Sequence, residues 1–248
     1  MFAVLDRLKS LLDRRKRARR FSIPYTRDRN WEMPRYLNVG EELKELALPD
    51  DAGTAIAFKD IFLSDVYGLE NLLQPPKTIV DIGAHAGLFS LAARLYFPGA
   101  SIHAYEPNPA LWSNLDRQSE IGQFTVFHEA VAFSQGKAVL EFPGDTVFTR
   151  CVPSHSGEIK VTAISEVVRR IANSGIVDLL KLDCEGAEWE ILKDVEAMKR
   201  VANLTMEYHL AGRESLPHLL HILRDLQFQI DFVHNDGDNN GRIHACRN

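Results

Sequence analysis

Acids that close apolar runs are the residues of this chain best placed to do chemistry. Asp81 stands near the end of TIVDI, Glu106 ends SIHAYE, and Glu129 follows FTVFH. Asp183 and Glu185 come just after IVDLLKL, and Glu207 and His209 close NLTMEYH. Such runs suit buried strands, so each acid lies at a strand's carboxyl end, where open α/β sheets bind their ligands. Carboxylates and an imidazole gathered at one edge can hold hydroxyls, accept protons or ligate a hard cation. Lys181 and Asp183 are two apart and therefore share one face of a strand. Charge inside a strand is costly unless paired. Glu207 and His209, also two apart on the following strand, are expected to supply the partner, and a purely structural salt-bridge lattice is the competing reading.

The segment TIVDIGAHAGLFSLAARLYF, Thr78 to Phe97, positions the first of these acids. It reads as a buried strand, a turn containing Gly83 and Gly87, and a helix with Leu88, Leu91, Ala92 and Leu95 on one stripe. The glycines let the backbone turn tightly and come close to a ligand. The spacing D-x-G-x-x-x-G lacks the second glycine of G-x-G-x-x-G, which admits a pyrophosphate. A phosphate-free adenosyl ligand, S-adenosylmethionine, fits such a turn, whereas an ordinary strand-to-helix turn needs no ligand at all. Glu106 follows Asp81 by 25 residues, the spacing at which an acid in nucleotide-binding folds accepts from ribose hydroxyls. Glu129, after the third strand, is expected at the adenine edge.

Strands and helices alternate through the rest of the chain, so the expected fold is α/β: a Rossmann-like, doubly wound and mainly parallel sheet with right-handed crossovers. The closing pair FQIDFVH and GRIHACR, around the Asn- and Gly-rich turn 235–241, should add one antiparallel strand near the C-terminus. The patterning predicts helices over 56–73, 161–172 and 186–200, a strand over 124–132, and a loop over Pro143–Lys160 that borders the acceptor. Residues 1–54 read as a basic and irregular extension, and 55–248 as the catalytic domain.

The net charge of -5 conceals an asymmetry. Residues 1–20 carry eight Lys or Arg against two Asp, a net +6, which leaves -11 for the remainder. An acidic body argues against nucleic acid as a partner. Val4, Leu5, Leu8, Leu11 and Leu12 precede the basic block, so this segment is either a solvated or frayed helix or a peripheral contact with an anionic membrane. Cys151, Cys184 and Cys246 are widely spaced, which favours a reducing cytoplasm over a disulfide framework or a zinc site. No apolar run approaches a membrane span, and no signal-peptide pattern appears.

D-I-G-A-H-A-G-L-F-S, Y-E-P-N, K-L-D-C-E-G-A-E-W-E-I-L and M-E-Y-H together resemble the signatures of the FkbM-type methyltransferase family, over roughly Ala55 to Asn248. The resemblance implies a class I methyltransferase fold and S-adenosylmethionine as cofactor. It further implies O-methylation of a sugar, glycan or natural-product hydroxyl. By position, Asp81, Gly83, Ala84, His85 and Gly87 would cradle the methionine end, Glu106 and Pro107 the ribose, and Glu129 and Ala130 the adenine. His85 departs from the family's usual Asn. Lys181, Asp183, Glu185, Glu207 and His209 would face the methyl group and the acceptor. His209 is the first choice of general base, because an unperturbed pKa near 6.5 suits proton acceptance, and Asp183 is the second. The alternative role for Asp183, Glu185 and Glu207 is to hold Mg²⁺. The competing functions are a non-catalytic nucleotide-fold binding module and, disfavoured by the missing glycine, an NAD-dependent oxidoreductase.

Overall fold

A computed structural model of the chain describes residues 2–27, 30–141, 150–154, 156–172, 175–212 and 214–247. Seven strands form the central sheet: β1 Thr78–Ile82, β2 Ser101–Tyr105, β3 Thr125–Phe127, β4 Val177–Leu182, β5 Val201–His209, β6 Gln229–Asn235 and β7 Asn240–Cys246. Their spatial order is β6-β7-β5-β4-β1-β2-β3. β1 to β5 run parallel, and β7 enters antiparallel between β5 and β6. The order reverses between β1 and β4, which places the ligand crevice outside the carboxyl ends of those two strands. The doubly wound sheet with one antiparallel strand is therefore the fold that the sequence predicts.

Alternation of side chains splits each strand between two apolar layers. Val80, Ile82, Leu180, Leu182, Leu204 and Met206 pack with the helix Ile164–Ala172 and the helix Leu216–Asp225 on one face. Ile79, Leu179, Ile102 and Ala104 pack with the helices Leu88–Tyr96 and Pro109–Gly122 on the other. The N-terminal segment belongs to this second layer. The helix α1, Phe2–Arg20, is followed by Phe21, whose ring meets those of Phe62 and Tyr96 edge-on at 5.4 Å. Ile23, Leu37 and Leu46 are buried in the same layer.

Several local expectations need correction. The helix drawn over 56–73 begins earlier, at Ala52, because Asp51 caps it by accepting from the Thr54 amide. It passes at Lys59–Ser64 into a wider π-helical turn, which ends where Asp65 turns left-handed at φ 50°. The strand drawn over 124–132 divides into β3 and Ala130–Ala132, the latter in a second sheet with Gly136–Glu141, Arg150–Pro153 and Ile159–Ala163. Two of those strands come from the stretch read as a loop, and the helix read from Val161 starts at Ile164. Residues 143–149 and 155 of that stretch lie outside the described residues. The helix drawn over 186–200 is two short ones, Glu188–Ile191 and Val195–Met198, the second capped by the Asp194 side chain.

The sheet register puts Lys181 directly opposite Asp81 on one side and Thr205 on the other. Lys181 is therefore paired with Asp81, at 3.1 Å, and not with Glu207 or His209 as the sequence suggested. Those two lie further along β5, at its carboxyl end.

Gly83 is where this frame is tightest. Its φ is 77°, and a Cβ there would fall 1.7 Å from the Asp183 carbonyl oxygen, which is backbone and cannot swing away. The residue is thus required by the approach of the chain after β4, a different reason from ligand access. Gly83→Ala is expected to lower stability by roughly 3 kcal/mol, the upper range of overpacking costs. A urea unfolding free energy within about 1 kcal/mol of the parent would contradict this.

Candidate active site

A cavity of about 600 Å³ opens at the carboxyl edge of the sheet, within the size range of small-ligand sites. Gly83, Ala84, His85, Glu106, Pro107, Glu129 and Ala130 line it, together with Lys181, Asp183, Glu185, Glu207 and His209. Asp81 and Gly87 do not. Asp81 is fully buried, accepting from Ser90 Oγ at 2.7 Å and facing Lys181. Gly87 caps the helix Leu88–Tyr96 at φ 78°, against Phe124 and Leu115, so its role is in packing.

Glu106 organises the turn. One carboxylate oxygen accepts from the His85 amide at 2.8 Å, and the other from the Asn108 amide at 2.9 Å. Burial raises its pKa, and the two amide donors only partly oppose that. Each oxygen keeps a second acceptor site. His85 is held at φ 50°, in the left-handed region that Asn, Asp and His tolerate better than other side-chain-bearing residues. The replacement of Asn by His is accordingly compatible with the same backbone. His85 also lies deep enough that burial lowers its pKa.

Glu129 borders the cavity, but its carboxylate is already committed to protein. It accepts from Lys160 Nζ at 2.6 Å, Thr162 Oγ1 at 2.5 Å and Arg170 Nη1 at 2.8 Å. Partial burial would raise its pKa, yet these donors prevail and lower it. The carboxylate thereby braces the second sheet at the border of the cavity.

Around Asp183 the site becomes a charged network. Tyr67 Oη donates to Asp183 Oδ2 at 2.8 Å, and Lys181 Nζ lies 3.5 Å from the same oxygen. Burial and the nearby acids keep the Tyr67 phenol protonated, so it remains a donor. Lys181 Nζ also donates to the Gly83 carbonyl at 2.6 Å. Burial alone would lower the Lys181 pKa, but Asp81 and Asp183 raise it, so the ammonium persists.

The segment from Asp183 to Gly186 is gripped by Glu188, which is completely buried. Its two oxygens accept from the Cys184 and Gly186 amides, each at 2.9 Å. Glu188 Oε1 lies 3.5 Å from His209 Nδ1, while His209 Nε2 lies 3.5 Å from Glu185 and 3.8 Å from Glu207. Burial would lower the His209 pKa, but Glu188, Glu185 and Asp183 raise it to about 9. That direction favours the imidazolium, so a neighbouring carboxylate suits the role of base better than His209 does. Burial above all pushes Glu185 and Glu207 up to about 7, with Asp183 adding to the rise and His209 opposing it. Those two carboxyls exchange protons near neutrality.

The trio suggested for Mg²⁺ also changes. Among the described residues, the donor atoms that converge within 4.8 Å of one another are those of Asp183, Glu185 and His209, with Glu207 outside the set. An imidazole in place of a third carboxylate suits Mg²⁺ less well than oxygen alone.

The sequence missed Tyr67, which follows a turn with no motif of its own. Glu188 lies within K-L-D-C-E-G-A-E-W-E-I-L, but its spacing alone carries no sign of its role. No helix among the described residues is long and apolar enough to cross a membrane.

Comparison with known proteins agrees with this fold. The solved structure of the methyltransferase FkbM from Methylobacillus flagellatus superposes with a TM-score of 0.51, covering 80% of this chain and 56% of that one at 16% identity, a likeness of fold. Methyltransferase sdnD of Sordaria araneosa is 29% identical, covering 60% of this chain and 73% of that protein. The 31-O-demethyl-FK506 methyltransferase FkbM of Streptomyces tacrolimicus is 27% identical, over 69% of this chain and 84% of that protein. Residues 81–230, more than half of the chain, match the methyltransferase FkbM domain, so the protein belongs to the FkbM methyltransferase family.

Proposed function

We propose that the protein transfers a methyl group from S-adenosylmethionine to a hydroxyl of a sugar, glycan or natural-product acceptor. The observation that carries this reading is one cavity bordered both by the Glu106-braced glycine turn and by the Asp183, Glu185, Glu207 and His209 cluster. Glu106 fits the cofactor: it lines the cavity, and each oxygen that accepts one amide can accept a second donor, as two vicinal ribose hydroxyls would supply. The Streptomyces relative is by name a methyltransferase of 31-O-demethyl-FK506, which supports oxygen as the target.

When bound, S-adenosylmethionine supplies an electrophilic methyl carbon on a sulfonium. The chain's part is to orient the acceptor and remove its proton. Glu207 is the proton acceptor in this reading, since its pKa of about 7 leaves it ionised in much of the population at neutral pH. The His209 imidazolium, at 3.5 Å from Glu185 and 3.8 Å from Glu207, steadies both carboxylates. Tyr67 and Lys181 fix Asp183 across from them.

Calorimetry should detect S-adenosylmethionine but not NAD, and labelled methyl should pass to a member of a glycoside panel. Binding of NAD alone would end the proposal. With an active acceptor, kcat/KM should rise through about pH 7 as Glu207 loses its proton and fall through about pH 9 as His209 loses its charge. A profile flat from pH 6 to 10 would remove the cluster from the chemistry.

A further inference from the structure

The basic N-terminal helix is not used by the reading above and offers a separate surface. One side of α1 is bound to the protein. Ala18 is buried, Arg17 pairs with Glu70 at 3.0 Å, and Arg17 Nη1 donates to the Leu63 and Ser64 carbonyls. The opposite side carries Leu8, Leu12, Lys16 and Arg19 at helical spacing, all exposed. Leu8 is 52% and Leu12 63% accessible, an unusual position for two leucines one turn apart on the solvent face of a charged helix. Lys16 and Arg19 form no ion pair among the described residues, and Lys9 and Arg15 are exposed beside them.

We propose that this face of α1 lies on an anionic lipid bilayer, with Leu8 and Leu12 entering the interface and Lys16 and Arg19 meeting the headgroups. The charge pattern selects that occupant. Residues 1–20 carry +6 on a body of -11, so the helix is the part of the molecule that a negative surface attracts. A nucleic acid would draw on the cations alone and leave the two leucines unexplained, whereas an interfacial helix uses both. The docking of α1 also gives the contact a consequence. It packs on the 59–64 turn, from which Asp60 and Ile61 line the cavity. A bilayer under α1 would thus be contacted by a helix that packs directly on a wall of the cavity.

Sedimentation of the full chain with vesicles tests the proposal independently of any methyl transfer. Binding is expected to vesicles of phosphatidylcholine with one third phosphatidylserine, and not to phosphatidylcholine alone, with affinity falling as salt rises. Lys16→Gln/Arg19→Gln should weaken partitioning roughly thirtyfold, from about fivefold per basic residue near an anionic surface. Leu8→Gln/Leu12→Gln should weaken it at least about tenfold, because apolar area no longer leaves water. All four side chains are exposed, so circular dichroism and thermal midpoints should match the parent and certify the fold. Equal binding to neutral vesicles, no binding to anionic ones, or retention by either folded variant would overturn the proposal. So would binding to an RNA duplex in the absence of vesicle binding.

Discussion

Glu207→Gln is expected to bind S-adenosylmethionine within a few-fold of the parent while losing roughly 10²–10⁴-fold in kcat, the usual contribution of a general base. The substitution keeps shape and hydrogen-bonding reach but removes the basic oxygen. Cofactor affinity should survive because Glu106 and the turn it braces belong to β1 and β2, away from β5. The same change should erase the rise of the pH profile near 7 and leave the fall near 9, which follows His209. Glu185 supplies the control. It has a similar pKa of about 7 but stands nearer the imidazolium, at 3.5 Å. If Glu185→Gln, and not Glu207→Gln, abolishes the rise, the base has been assigned to the wrong carboxylate. If neither does, proton removal is not the work of this cluster.

Lys181→Met should be the most damaging single change to stability, costing about 3–5 kcal/mol, as when one partner of a buried ion pair is removed. Lys181 is 2% and Asp81 0% exposed. Asp81 Oδ1 has Lys181 Nζ at 3.1 Å and no other polar partner among the described residues, so the substitution strands a carboxylate in an apolar layer. It also frees Asp183 and withdraws the donor from the Gly83 carbonyl. Loss of cofactor affinity should therefore accompany loss of stability. The Asp81→Asn/Lys181→Met pair should recover part of the stability, since a neutral amide replaces the stranded charge. Denaturant midpoints at constant m-value measure both. A Lys181→Met protein within 1 kcal/mol of the parent would show that the pair is not what holds β1 to β4 at this edge.

The sequence was most legible where a local pattern carries its own physics. Apolar runs of strand length, helical stripes and turn residues were enough for the doubly wound sheet and for the antiparallel β7. Acids at the ends of those runs marked the residues that now border one cavity, from Glu106 to His209. Patterning failed where an element is short or belongs to a second layer. The strand 124–132 breaks at His128 and Glu129 because its two halves join different sheets. The helix over 186–200 breaks because Asp194 starts a new cap. Neither break changes the polarity pattern enough to be read in advance.

Residue types and their order along the chain determined which groups reach the ligand edge, because a strand's end is a local property. Register and burial, which arise only when distant segments meet, decided what those groups do there. The sheet set Lys181 beside Asp81, and the fold surrounded His209 with three carboxylates that raise its pKa. Protonation state depends on neighbours in space, and no one-dimensional spacing encodes them.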